Sequence, residues 1–209
     1  CVVVERLLGW VDGWLLEHEV PVVTNDAFSD LKVVEVVDDF LINTEVSGTQ
    51  TSPAVSSLND GGFVVTWRDD NGSSHGGSGY DIRARRFDVN SDPAGTEFLV
   101  NATQVSGNQY DPAVIGLKEG GFVVTWRDDD GSSHDSGSNI DVWARIFNTD
   151  GTEAVEEFRV NETQISSNQY EPALASLSNG NFIVTWRDSG GSSHDDGTGT
   201  GSGNDVWAR

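Results

Sequence analysis

Cysteine, methionine and basic residues are scarce in this sequence, and each shortage excludes something. A single cysteine, Cys1, in 209 residues rules out a disulfide within the chain. Methionine is absent, and Cys1-Val2-Val3-Val4-Glu5 lacks the basic start of a signal peptide. The chain therefore reads as a fragment or a processed product, and a leading cysteine also fits a lipidated bacterial lipoprotein. Lys and Arg number 12 against 34 Asp and Glu, a formal charge of −22. So acidic a chain is repelled by phosphate backbones and anionic membrane surfaces, which argues against nucleic acid as a partner. No apolar run approaches the roughly 18–20 residues that span a bilayer as a helix. The length suffices to bury a core in one large domain or two small ones, and the charge attracts cations.

What is present is a repeat. Gly62-Phe63-Val64-Val65-Thr66-Trp67-Arg68-Asp69 returns as Gly121-Phe122-Val123-Val124-Thr125-Trp126-Arg127-Asp128, and again from Asn181 to Asp188. The tryptophans Trp67, Trp126 and Trp186 stand 59 and 60 residues apart. Pro53, Pro112 and Pro172 keep the same period, as do Phe40, Phe98 and Phe158, and Asn43, Asn101 and Asn161. A period of this length marks an array of supersecondary units.

Each unit predicts four short strands. In the second they are Phe98–Asn101, Ala113–Leu117 entered through Pro112, Phe122–Trp126, and Val142–Phe147. β-branched and aromatic residues dominate them. Lys118-Glu119-Gly120-Gly121 and Asn148-Thr149-Asp150-Gly151 supply turn residues between strands. No segment of the repeat sustains a 3.6-residue period, so the fold class is all-β. Four antiparallel strands per unit match β-propeller-like blades. Three units, 40–97, 98–157 and 158–209, fall short of the roughly 4–8 blades of a typical propeller. The alternatives are a fragment of a longer array, a ring completed by several chains, or another pseudo-threefold fold such as a β-trefoil. Unpaired edges would invite self-association. Residues 1–39 lie outside the repeat as a cap or partial unit. There Val4, Leu7, Leu8, Val11, Trp14, Leu15 and His18 fit one face of a helix, which Gly9 and Gly13 weaken, and Val33–Val37 reads as a strand.

Acidic, Gly- and Ser-rich loops link the third and fourth strands. The first carries Asp69, Asp70 and Asn71 and closes on Asp81. The second carries Asp128, Asp129, Asp130 and Asp135 and closes on Asp141, and the third carries Asp188, Asp195 and Asp196 and closes on Asp205. Clustered carboxylates on a glycine-rich backbone supply the oxygens that Ca²⁺ requires, so these thirteen residues form a candidate calcium set. Against this, Asp also serves backbone amides in turns, and Arg68–Asp81, Arg127–Asp141 and Arg187–Asp205 could each close a loop as an ion pair. His75, His134 and His194 share one repeat position; zinc would need all three near one point, and a turn-stabilising role fits better.

The connections ahead of the second strand carry Asn108-Gln109-Tyr110 and Asn168-Gln169-Tyr170. Amides beside an aromatic ring suit sugar hydroxyls and ring faces, which makes these six residues a candidate glycan site. Alternatively the glutamines tie neighbouring loops and the tyrosines pack beneath them. The first unit has Thr51 in place of the tyrosine. No nucleophile elbow, phosphate loop, zinc-protease or dinucleotide motif occurs. The acids recur with the repeat whereas catalysis usually needs one asymmetric constellation, so no enzyme is expected, with a glycosidase carboxylate pair as the residual alternative.

Gly120-Gly121-Phe122-Val123-Val124-Thr125-Trp126, Asp141-Val142-Trp143-Ala144-Arg145-Ile146-Phe147 and Phe158-Arg159-Val160-Asn161 resemble tandem repeats of large secreted bacterial proteins. Those are the haemolysin-type calcium-binding, or repeat-in-toxin-like, adhesins. The resemblance covers residues 40–209 and implies an extracellular or cell-surface, non-catalytic module that binds Ca²⁺ and meets glycans or other surface molecules. Gly201–Trp207 also looks like part of a toxin nonapeptide, but Asp205 aligns with Asp81 and Asp141, and the tandem nonapeptides of a calcium β-roll are absent. A carbohydrate-binding module and a structural spacer are the alternatives.

Overall fold

A computed structural model describes residues 39–70, 79–103, 107–129, 140–162, 167–189 and 203–209, and the backbone of 4–11 and 14–21. Among the described residues the secondary structure is strand and turn, with no helix. The chain forms two compact units, Cys1–Phe40 and Leu41–Arg209.

The first unit corrects the helical expectation. β1 (Val4–Val11) and β2 (Trp14–Pro21) pair antiparallel, with Val4 opposite Pro21 and Val11 opposite Trp14. The two residues between them are Asp12-Gly13, a dipeptide favoured in two-residue hairpin loops. The apparent helical spacing arose because apolar residues occupy both parities of the two strands. Val33–Val37 lies outside the described residues.

The second unit is three antiparallel sheets, none of them closed. Sheet 1 orders β3 (Gln50–Ser57), β4 (Phe63–Asp69), β5 (Asp81–Phe87) and β6 (Phe98–Leu99). Sheet 2 orders β7 (Gln109–Gly116), β8 (Phe122–Asp128), β9 (Asp141–Phe147) and β10 (Glu153–Arg159). Sheet 3 holds β11 (Gln169–Ser176), β12 (Phe182–Asp188) and β13 (Asp205–Ala208). The fold is therefore an all-β tandem-unit fold. Its phase is specific: the fourth strand of sheet 1 comes from the start of the next sequence repeat, and that of sheet 2 runs across the repeat boundary to Arg159.

Sheet 2 lies between the other two. Val64, Ile82 and Ala84 of sheet 1 pack with Val124, Trp126 and Phe147 of sheet 2. On its opposite face Val123, Val142 and Ala144 meet Val184 and Trp186 of sheet 3. This explains why β8 reads as a nearly continuous apolar run instead of alternating: both faces are covered. The three repeated tryptophans are buried at equivalent positions. Each looks toward the preceding neighbour, Trp126 toward sheet 1 and Trp186 toward sheet 2, while Trp67 packs with Val65, Phe87, Ile42 and Phe63.

Close approach of the sheets needs Gly116. A Cβ there would stand well inside van der Waals distance of the Ser57 carbonyl oxygen on sheet 1, and its N–H donates to Ser56 Oγ at 2.9 Å. The first strands β3, β7 and β11 also share one irregularity. Their registers shift between Thr51 and Ala54, Tyr110 and Ala113, and Tyr170 and Ala173. Within each shift a non-glycine residue has positive φ: Ser52 at 54°, Asp111 at 53° and Glu171 at 56°. The repeated proline follows. It lies inside the strand at a bulge, where its missing N–H disturbs no ladder, and not at the strand start that its sequence position implied.

Candidate functional site

Strand parity decides the fate of the acidic residues. Asp69, Asp81, Asp128 and Asp188 point inward and are almost fully buried, where a carboxylate requires partners. Asp81 Oδ1 accepts from Asn101 Nδ2 (2.9 Å), which also donates to Gln109 Oε1 (3.0 Å). Gln109 Nε2 in turn donates to Asp128 Oδ1 (3.3 Å). Asn101 Oδ1 accepts the Ile82 N–H at 2.7 Å. The arrangement recurs between sheets 2 and 3. Asn161 Nδ2 donates to Asp141 Oδ1 (2.7 Å) and Gln169 Oε1 (3.0 Å), and Gln169 Nε2 donates to Asp188 Oδ2 (3.3 Å). Ser167 Oγ also donates to Asp188. Sheet 1 satisfies Asp69 through Arg83 Nε (2.8 Å) and Gln50 Nε2 (3.3 Å). The Asn101 and Asn161 groups form polar staples between sheets, while Asp69 is held within sheet 1.

The candidate sets thus divide. Asp81, Asp128, Asp141 and Asp188 hold protein partners in the staples, and Asp69 holds Arg83 and Gln50 within sheet 1. Asp70 accepts the Thr49 N–H, and Asp129 accepts the Asn108 N–H at 2.6 Å and Asn108 Nδ2 at 3.3 Å. Asp205 is exposed at the edge of sheet 3. Asn71, Asp130, Asp135, Asp195 and Asp196 lie outside the described residues, as do His75, His134 and His194. Among the described residues no three His, Cys, Asp or Glu side chains gather as a metal site. The arginines beside the loops find other partners than expected: Arg127 Nε is 3.4 Å from Asp111 and Arg187 Nε 3.3 Å from Glu171. Of the six glycan candidates, Gln109 and Gln169 are buried in the staples, which corrects their assignment to a ligand face. Asn108 and Asn168 hold the loop ends, accepting the Tyr80 N–H at 3.2 Å and the Ile140 N–H at 3.0 Å.

Tyr110 and Tyr170 belong to a larger construction. The Arg68 guanidinium lies 4.5 Å from the Tyr80 ring centroid and 5.4 Å from that of Tyr110. Arg127 lies 4.4 Å from Tyr110 and 5.3 Å from Tyr170, and Arg187 lies 4.6 Å from Tyr170. Tyrosines and arginines therefore alternate across all three sheets as a half-exposed ladder, held by cation–π attraction. Cross-strand pairing sets its register, Tyr110 opposite Arg127 and Tyr170 opposite Arg187. The bulge turns Asp111 and Glu171 outward beside the arginines. Burial, the Asp129 charge and neighbouring Tyr80 push the Tyr110 phenol above its ordinary value, against the pull of Arg127 and Arg68. It stays protonated at neutral pH and can donate and accept.

Sequence reasoning found two of these rings but not Tyr80 or the arginines. Arg68, Arg127 and Arg187 were visible as the invariant residue after each repeated tryptophan. Tyr80 carried no signal, because the other units have Ile140 and Asn204 at that place. It sits beside Arg68, where Thr51 offers no ring.

No family model matches the chain, and no curated protein does either. Among solved structures it resembles an endo-arabinase from Bacteroides thetaiotaomicron VPI-5482, with a TM-score of 0.47 and 10% identity. The match covers 78% of this chain and 57% of that one, so the chain spans a little over half the length of that structure. The expectations of a non-catalytic, calcium-binding adhesin repeat and of a chain that is no enzyme are not carried further. At this level of likeness no residue role transfers, and what the chain does is read from its own side chains. No helix among the described residues is long and apolar enough to cross a membrane.

Proposed function

We infer that the three-sheet unit binds glycan chains along its arginine–tyrosine ladder. The observation that carries this reading is the alternation of Arg68, Arg127 and Arg187 with Tyr80, Tyr110 and Tyr170 across three successive sheets. Tyrosine faces accept the apolar C–H face of a sugar ring, while guanidinium and carboxylate groups meet its hydroxyls. Asp111 and Glu171 largely offset the charge of Arg127 and Arg187, so the surface favours neutral, hydroxyl-rich chains over polyanions. Positive φ at Asp111 and Glu171 costs on the order of 1–3 kcal/mol each, and such strain clusters where orientation matters.

A glycan array identifies the ligand, and calorimetry on the best hit tests the site. Tyr110→Ala should weaken binding about tenfold, or about 1.4 kcal/mol, with unchanged circular dichroism. An array with no retained glycan, or full affinity in Tyr110→Ala, would refute the reading.

A further inference from the structure

The three rungs of the ladder differ in charge. On sheets 2 and 3 each arginine meets a carboxylate from the strand beside it. Asp111 Oδ2 lies 3.4 Å from Arg127 Nε; Glu171 Oε2 lies 3.3 Å from Arg187 Nε, with Oε1 3.4 Å from Nη2. Both acids occupy the positive-φ position of the bulge, and their side chains are 45% and 69% exposed. The place beside the guanidinium therefore suits a carboxylate and is open to solvent.

Sheet 1 has Ser52 at that position, on the same backbone: φ is 54° there against 53° and 56° at Asp111 and Glu171. A serine brings no charge, and among the described residues Arg68 makes no ion pair and no hydrogen bond; what it meets is rings. Its Nε is buried with no hydrogen-bond partner among the described residues, as is Thr51 Oγ1 on the paired strand, while the side chain as a whole is half-exposed. The rings beside it are held in place. The Tyr80 N–H donates to Asn108 Oδ1 at 3.2 Å, the Tyr80 carbonyl accepts the Gln109 N–H at 2.8 Å, and the Tyr80 and Tyr110 ring centroids are 5.4 Å apart.

We propose that Arg68, with Tyr80 and Tyr110 beside it, is a carboxylate subsite: the ladder takes a mostly neutral glycan that carries a uronic acid. The acid's carboxylate takes at Arg68 the place that Asp111 and Glu171 hold on the other rungs. This rests on the glycan reading above and narrows its ligand. A guanidinium presents paired N–H donors that match the two oxygens of a carboxylate, and the tyrosine rings offer their faces to the sugar that bears it. At Arg127 and Arg187 the resident acids repel a second carboxylate, so one acid is recognised per bound stretch and a polyanion gains nothing further. The charge of −22 on the chain opposes polyanions in the same direction.

Affinity electrophoresis with polysaccharides that carry occasional uronic acids, each used native and after carboxyl reduction, tests this. Reduction turns the carboxylate into a primary alcohol and leaves the rest of the chain in place. Wild type should bind the native form of at least one such polysaccharide about fivefold more tightly than the reduced form, as expected for a half-exposed ion pair. Ser52→Asp gives Arg68 the partner that Arg127 has; it should lose the preference, still bind the reduced form, and melt as wild type does. Arg68→Gln should lose the preference as well. Equal retardation of wild type by both forms would overturn the carboxylate subsite and leave the glycan reading standing, whereas retardation by neither form would overturn both. A preference that survives Ser52→Asp, or one shown only toward sulfated chains, would also overturn the subsite.

Discussion

Replacing Asn101 with alanine should remove more stability than its size indicates. The side chain is fully buried between sheets 1 and 2; among its contacts, it accepts the Ile82 N–H at 2.7 Å and donates to Asp81 at 2.9 Å and Gln109 at 3.0 Å. Truncation strips the Ile82 amide of that acceptor in a site closed to water, which costs about 1–3 kcal/mol. Losing the two donated bonds adds about 1 kcal/mol each, so the sum is roughly 3–5 kcal/mol. Asn161→Ala should behave alike, because it makes the equivalent bonds to Val142, Asp141 and Gln169. Asn43→Ala should not: its bond is to the Glu45 carbonyl two residues on, and its loss should cost under about 1 kcal/mol in the isolated molecule. Urea unfolding at low protein concentration reads all three, with unchanged slope marking a change in stability alone. Equal effects at Asn43 and Asn101, or a loss below about 1 kcal/mol at Asn101, would refute the staple account.

Gly116→Ala should destabilise by about 1–3 kcal/mol through overpacking against the Ser57 carbonyl, measured by the same unfolding curves. Asp129→Asn should bring the Tyr110 phenol down toward its ordinary value, since the Asp129 charge helps raise it; ultraviolet titration of the three tyrosines would show one midpoint moving. Burial alone would raise the Glu97 carboxyl, but hydrogen bonds from Thr44 and Glu45 and the Arg83 charge outweigh it and hold it below its ordinary value. The stability it contributes is therefore present above the unfolded value, about 4.3, and is lost as pH falls through the lower folded one. Glu97→Gln should flatten the acid side of the melting-temperature profile, and an unchanged profile would contradict this.

The repeat was legible because bulky landmarks mark it. Trp67, Trp126 and Trp186 could not drift in spacing without leaving their places in the core. The phase of the sheets was not legible, since the Phe98–Asn101 strand borders two sheets and sequence order does not say which one it pairs with. Asp69 and Asp70 look alike in sequence, yet strand parity buries the first against Arg83 and Gln50 and leaves the second half-exposed. Gln109 carried a signal for polarity but none for burial, which depends on Asn101 and Asp128 arriving from other strands. The pairing of 4–11 with 14–21 had a signal in the Asp12-Gly13 dipeptide, but apolar residues spaced by three and four also fit a helix.

The glycan reading is tested most directly by affinity electrophoresis through a panel of soluble neutral and acidic polysaccharides, run with wild type and Tyr110→Ala side by side. The ladder predicts that at least one neutral polysaccharide retards the wild type and that Tyr110→Ala loses most of the retardation, while both migrate equally in plain gel. Equal retardation of the two proteins, or retardation by none of the polysaccharides, would contradict it.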